Sequence, residues 1–209
     1  MKKSDKLEIE VKFFITDEHD VHRRLKALGA KARPKVFESN TRYEDSRHSL
    51  ERSGKLLRLR RDSSCRLTYK CRPAVEDHEC KVFRELEVHV DDCDTMDAIL
   101  KALGYRPVQI YEKWRRTFNW RDVEICLDVM PFGTFLEIEG PKESIKVTAA
   151  ELGFAWKDRI LLNYLAIFDM LRRKFSLPFK DVTFSHFADH PVNVTPLLPI
   201  LRKGEPAEI

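Results

Sequence analysis

Leu7-Glu8-Ile9-Glu10-Val11-Lys12-Phe13 alternates charged with apolar residues. Successive side chains of a β-strand point to opposite faces, so Glu8, Glu10 and Lys12 share one face and the apolar residues the other. The same alternation returns along the chain. Arg58 and Arg60 oppose Leu57 and Leu59, and Glu85 and Glu87 oppose Leu86 and Val88. Lys70 and Arg72 share a face by parity, as do Lys113 with Arg115 and Glu137 with Glu139, and Asp128 lies between Leu127 and Val129. A single strand of this kind is a solvated edge. A series of them, with acids and bases in comparable number, is a sheet with one ionic face.

The 209 residues suffice for one sizeable core, and 43% hydrophobic with 34% charged residues describes a globular chain rich in ions. A net charge of +4 permits an anionic ligand without the dense basic imprint of a nucleic-acid binder, so nucleic acid is not an expected partner. Five cysteines without CxxC spacing suggest free thiols in a reducing cytoplasm. No apolar run approaches the ~20 residues of a membrane span, and the start of the chain lacks the apolar core of a signal peptide, so a cytoplasmic location without membrane contact is expected.

Thr16 or Asp17 can cap a helix that Gly29 stops, and a second helix spans about Asp94 to Leu103 before Gly104. Strands are expected near Val36–Tyr43, Lys55–Arg60, Arg66–Arg72, Lys81–Val90, Val108–Trp120, Val123–Val129 and Thr134–Glu139. Further helices are expected from Ser144 or Thr148 to Leu152 and from about Asp158 to Lys174. Leu25-Lys26-Ala27-Leu28-Gly29 returns as Leu100-Lys101-Ala102-Leu103-Gly104, each time after an acidic strand, which suggests a duplicated sheet. Regular structure is expected to end at Pro178. The chain divides into a domain over 1–175 and a proline-containing tail over 176–209, to which no activity is assigned.

Amphipathic helices can cover the apolar faces, so the ionic faces look away from them. Closing about eight antiparallel strands into a barrel puts those charges inside a space wide enough for a ligand. Carboxylates there suit Mg²⁺ or Mn²⁺, and Arg and Lys suit phosphate oxygens.

These residues resemble a known family. Glu8-x-Glu10-x-Lys12 is similar to the ExExK signature of the CYTH superfamily, the triphosphate tunnel metalloenzymes. Leu57-Arg58-Leu59-Arg60, Thr68-Tyr69-Lys70, Glu85-x-Glu87, Glu112-Lys113-Trp114-Arg115, Asp128 and Glu137-Ile138-Glu139 follow in matching order, over roughly residues 5 to 175. The resemblance implies an α+β fold, an eight-stranded antiparallel tunnel with helices outside. It implies hydrolysis of a small triphosphate (inorganic, thiamine or nucleoside) or, alternatively, cyclisation of ATP as in class IV adenylate cyclases. Glu8, Glu10, Glu137 and Glu139 would then be metal ligands, assisted by Glu85, Glu87 and Asp128. Lys12, Arg58, Arg60, Lys70, Lys113 and Arg115 would bind the triphosphate, with Arg72 added by parity alone. Arg42-Tyr43-Glu44-Asp45 departs from the Tyr-Phe-Asp of many relatives.

Phosphoryl transfer needs positioning and charge neutralisation more than covalent chemistry. Lys12 or Lys70, if burial lowers its pKa, is a candidate base. A non-catalytic polyphosphate- or nucleotide-binding module would not need the acid pairs. The expected partner is a small triphosphate substrate, and the expected state a monomer or homodimer. His78, Cys80, His89 and Cys93 are poorly spaced for zinc. Tyr164 reads as core packing of the last helix.

Overall fold

A computed structural model of the chain describes residues 6–73 and 77–202. The alternating stretches become strands and the intervening amphipathic stretches helices. In chain order these are β1 (Lys6–Ile15), α1 (Glu18–Ala27), β2 (Lys31–Glu44), the single turn α2 (Ser49–Arg52), β3 (Lys55–Arg61), β4 (Cys65–Cys71) and β5 (Lys81–Val90). There follow α3 (Cys93–Ala102), β6 (Arg106–Trp120), β7 (Val123–Met130), β8 (Gly133–Glu139), α4 (Lys142–Glu151), α5 (Tyr164–Phe175), α6 (Phe184–Asp189) and α7 (Leu198–Leu201). The strands close in the order β1-β5-β4-β3-β2-β6-β7-β8, with β8 pairing back onto β1. Every pairing is antiparallel. The expected closed eight-stranded barrel with outer helices is the observed architecture.

The duplication heard in the sequence is a symmetry of the ring. Exchanging β1 with β5, β2 with β6, β3 with β7 and β4 with β8 returns the same order of neighbours. The repeated Leu-Lys-Ala-Leu-Gly ends both helices in one way. Gly29 at φ +78° and Gly104 at φ +92° occupy the left-handed region, and Ala30 and Tyr105 donate back to the carbonyls of Leu25 and Leu100. Asp17 and Asp92 cap the two starts.

Three apolar clusters press helices onto the ring, two of them from outside and the third reaching into it through Tyr111 and Tyr164, which line the interior. Val11 and Phe13 of β1 and Ile125, Leu136 and Ile138 of β7 and β8 meet Val21 and Leu25 of α1 and Ile145 and Ala149 of α4. Tyr43, Leu57 and Leu59 meet Leu100 of α3. Tyr111, Phe132 and Phe135 meet Ile167, Phe168 and Leu171 of α5, together with Val182, Phe187, Val194, Leu197 and Leu201 from beyond Pro178. Among the described residues no helix is long and apolar enough to cross a membrane.

Several expectations are corrected. β2 begins at Lys31, because an irregularity between Ala32 and Lys35 carries the pairing with β6 past Pro34. The helix expected from Asp158 is broken. A 3-10 turn spans Trp156–Asp158, Ile160 bridges to Lys12, and α5 starts only after Asn163, whose side chain accepts from Ala166 N. Regular structure does not stop at Pro178, since Thr183 caps α6 and α7 follows. Residues 203–209 of the tail lie outside the described residues.

The free-thiol expectation fails at two positions. Cys65, the first residue of β4, is disulfide-bonded to Cys93, the first residue of α3. Closing a loop across 28 residues stabilises by about 3–4 kcal/mol in the chain-entropy account. Cys80 and Cys126 are free and buried, and burial pushes their thiols up to about 11 and about 12. Alkylation of unfolded, unreduced protein should therefore label the three thiols of Cys71, Cys80 and Cys126, and all five cysteines after reduction, by mass spectrometry. Five labels before reduction would show that the bridge does not form.

Candidate functional site

The ring encloses a cavity of about 400 Å³. Nine carboxylates and nine Lys or Arg side chains line it, and the order of strands sorts them. Glu124, Glu137, Glu139, Glu8, Glu10, Glu85 and Glu87 stand on β7, β8, β1 and β5, which are consecutive in the ring. Arg66, Lys70, Arg58, Arg60, Arg42, Lys113 and Arg115 stand on β4, β3, β2 and β6, the other consecutive four. Lys12 and Lys81 are the cations of the acidic half, and Glu38 is a buried acid of the basic half.

Ion pairs hold the acidic half together. Lys12 lies 2.7 Å from Glu137 and over the ring of Tyr164 at 4.2 Å. Lys70 sits between Glu8 and Glu85, and Lys81 lies 2.5 Å from Glu10. Burial alone would lower a lysine pKa. Here it is outweighed by Glu137, Glu10 and Asp128 at Lys12 and by Glu8 and Glu85 at Lys70, so both stand above their ordinary value. The direction is the reverse of the expected one: the surrounding carboxylates favour the ammonium form of both side chains. Burial likewise favours the neutral acid of Glu137, but Lys12, Arg115 and Lys113 hold it well below the usual carboxylate range.

Across the seam between β6 and β7, Asp128 organises two cations. Arg115 grips both of its oxygens at 2.6 Å, Lys113 donates at 2.8 Å, and the Tyr164 hydroxyl donates at 2.9 Å. Arg115 also reaches Glu137 at 2.5 Å.

The centre of the basic half is different. Arg58 donates to the Tyr111 hydroxyl at 2.9 Å and to Thr68 at 3.3 Å, and among the described residues it makes no ion pair. Arg60 has Glu38 at 3.4 Å, and burial together with Arg58 presses its pKa below the ordinary value. The Nε atoms of Arg42, Arg58, Arg60 and Arg66 are buried without a hydrogen-bond partner among the described residues. Clustered guanidinium groups in this condition attract an oxyanion, which accepts their N–H groups in a planar fork.

Glu8, Glu10, Glu85, Glu87, Glu137, Glu139, Lys12, Arg58, Arg60, Lys70, Lys113 and Arg115 thus all reach one cavity. Asp128 does not line it. It is fully buried behind the wall and acts on the cavity through Lys113 and Arg115. Arg72 also falls outside, because β4 ends at Cys71 and the side chain lies exposed beside Gly54. The strand parity that picks out Lys70 also reaches Arg66, Lys81 and Glu124, which the sequence reading passed over. Tyr164 is core packing and a site residue at once. Cys80 is in the core and Cys93 in a disulfide, so the zinc set does not assemble. Among the described residues no three His, Cys, Asp or Glu side chains stand ready as a metal cluster. The carboxylates of the acidic half do offer the oxygen donors a hard divalent cation takes.

A model of the CYTH domain matches residues 6–181. The candidate adenylate cyclase MJ0240 of Methanocaldococcus jannaschii is 33% identical over 135 residues, covering 64% of this chain and 76% of that protein. The crystal structure of a candidate adenylate cyclase of Vibrio parahaemolyticus superposes with a TM-score of 0.69 at 21% identity, over 78% of this chain and 98% of that one. HpAC1 of Hippeastrum, a candidate adenylyl cyclase with a dominant triphosphatase activity, superposes with a TM-score of 0.57 at 18% identity, over 78% and 95% of the two chains.

The pairing of Lys12 with Glu137 has a pH signature. Glu137 is depressed below its unfolded value of about 4.3, so its contribution to stability is present above that pH and lost as pH falls through the folded value. Glu137→Gln strands the buried Lys12 ammonium and should cost ~3–5 kcal/mol at neutral pH. Urea unfolding at pH 7 and at pH 3 should show wild type losing more stability on acidification than the variant. Parallel losses would deny Glu137 its depressed pKa.

Proposed function

The chain belongs to the CYTH family, and we propose that it hydrolyses a small triphosphate inside the charge-divided barrel. The observation that carries this reading is the Arg58 guanidinium beside Arg60 in the cavity, with its Nε lacking a hydrogen-bond partner and no carboxylate in direct contact among the described residues. Glu85 and Glu38 answer the Arg58 charge only at a distance, and a polyanion would accept its remaining N–H directly.

Arg58 and Arg60 would hold the phosphate chain from one side. Lys113 and Arg115, fixed by Asp128, would hold it from the next strand pair. Lys12 and Lys70 would serve as ammonium donors that leave their carboxylates for phosphoryl oxygens. Glu8, Glu10, Glu137 and Glu139, with Glu85 and Glu87 beside them, would hold Mg²⁺ or Mn²⁺. When bound, such a cation supplies Lewis-acid neutralisation of phosphoryl oxygen charge. Tyr164 would keep Asp128 and Lys12 in register through its hydroxyl and its ring.

A second reading is adenylate cyclase activity, favoured by the name of the archaeal relative and by Leu56, Phe83, Leu165 and Ala166, which give the cavity an apolar share. Incubation with inorganic triphosphate, thiamine triphosphate and ATP, with Mg²⁺, Mn²⁺ or EDTA and chromatographic product analysis, separates the two. Phosphate release that EDTA abolishes supports hydrolysis. Cyclic AMP as the main product replaces that reading with cyclisation.

Glu8→Gln and Glu139→Gln should abolish metal-dependent turnover in that assay while the protein remains folded by circular dichroism, because an amide lacks the charge that holds a hard cation. Wild-type rates at limiting metal would remove either residue from the ligand set. Arg58→Ala should weaken inorganic triphosphate binding by ~1.5–3 kcal/mol in calorimetry, and Arg58→Lys by less, since charge returns without the fork. Unchanged binding in Arg58→Ala would place the phosphates elsewhere.

A further inference from the structure

β2 turns Glu38, Asn40 and Arg42 toward the barrel interior. Glu38 is paired with Arg60 and Lys113, and Arg42 contacts Glu51 at 3.5 Å. Asn40 is 0% exposed, and neither its Oδ1 nor its Nδ2 has a hydrogen-bond partner among the described residues. Buried side-chain amides are nearly always bonded, so a whole carboxamide in this state needs an explanation.

The strand register shows what surrounds it. Asn40 stands opposite Arg60 of β3 on one side and opposite Tyr111 of β6 on the other. Arg58, bonded to the Tyr111 hydroxyl, is its diagonal neighbour on β3. Such cross-strand neighbours lie within side-chain reach. The buried atoms still without partners in this neighbourhood are mostly donors: Nε of Arg58, Nε of Arg60 and Nδ2 of Asn40. Against them stand only Oε2 of Glu38 and Oδ1 of Asn40 itself. The group that completes this set is an oxyanion, since it accepts from several N–H groups at once.

Asn40 does not line the cavity of the empty protein but lies directly behind Arg58 and Arg60, which do, and we propose that it becomes a phosphate-binding residue when those two side chains turn onto the ligand, donating Nδ2–H to a phosphoryl oxygen that they also grip. This rests on the triphosphate reading above. A carboxamide suits the position for two reasons. It donates without adding a charge to an already crowded basic wall, and its Oδ1 can accept from the Arg60 guanidinium and turn it toward the ligand. An aspartate there would be held by Arg60 and would repel the phosphate. In the empty protein the amide is a liability, and binding removes it.

The alternative is an amide satisfied inside the fold, by a buried water for example, with no part in binding. Two variants of nearly unchanged shape separate the cases: Asn40→Leu and Asn40→Asp. The readings are unfolding temperature without ligand, and inorganic triphosphate affinity by calorimetry in EDTA. If Asn40 binds phosphate, Asn40→Leu keeps or raises the unfolding temperature and weakens affinity about 10- to 100-fold. Asn40→Asp raises the unfolding temperature through a new pair with Arg60 and weakens affinity further. A lower unfolding temperature with unchanged affinity in Asn40→Leu overturns the proposal, as does normal affinity in Asn40→Asp. Wild-type protein that binds no triphosphate in EDTA and neither binds nor turns it over with Mg²⁺ or Mn²⁺ overturns the triphosphate reading and this proposal with it. Wild type that binds while both variants bind equally well overturns the Asn40 assignment alone.

Discussion

A closed ring gives its inward side chains little open solvent to spread into, so the charges buried deepest inside must meet a counter-charge or a ligand. The rest of the architecture follows from this demand. With nine carboxylates and nine cations around one cavity, the interior can be close to neutral in the empty protein. The fold does not spend that balance on mixing the signs evenly. It places most acids on one consecutive run of strands and most bases on the other, with close pairs at the two seams and at Lys12 and Lys81 in the acidic half. Lys70 between Glu8 and Glu85 closes one seam, and Arg115 between Asp128 and Glu137 closes the other.

The second seam depends on residues far away in the chain. Asp128 receives a hydroxyl from Tyr164 at the start of α5, and Ile160 just before it donates to the Lys12 carbonyl at 2.7 Å. The helix stays there because its other face is packed against the cluster that includes Val182, Phe187, Val194 and Leu201. Val182 also pairs with β6, accepting from Glu112 N and donating to the Ile110 carbonyl. The proline-containing segment, which shows no helical period, is thus the outer support of α5, and α5 holds the Asp128 hub.

The period of two in β1, β3, β5 and β8 was enough to find the ionic face, the closure and most of the residues that meet in the cavity. What it lacked was register. Parity alone extends the basic row from Lys70 to Arg72, although β4 has already ended. It also places Asp128 inward without showing that Arg115, Lys113 and Tyr164 seal it behind the wall. Burial without register made Lys12 and Lys70 look like candidates for a lowered pKa. Their carboxylate neighbours come from other strands, Glu137 from β8 and Glu85 from β5, and reverse the sign. The Cys65–Cys93 bridge was equally out of reach, since it depends on α3 returning to lie against the start of β4. Tyr164 was ambiguous for a different reason: its ring belongs to the core and its hydroxyl to the site.

The cations of the basic half fall into two physical kinds. Lys113 and Arg115 are locked by Asp128, so their geometry is set before any anion arrives and little entropy is lost in using them. The cost is that their charge is already partly answered. Arg58 and Arg60 are the reverse: they lack strong counter-ions, and their forks are held only by Tyr111, Thr68 and a long contact to Glu38. A phosphate chain spanning both kinds gains attraction from the second and alignment from the first. Neither would suffice alone. An evenly paired barrel would be stable and indifferent to anions, while a wholly unpaired one would repel itself apart. On this argument the division of the ring into an acidic and a basic half lets one fold be stable when empty and still favour an anion in its centre.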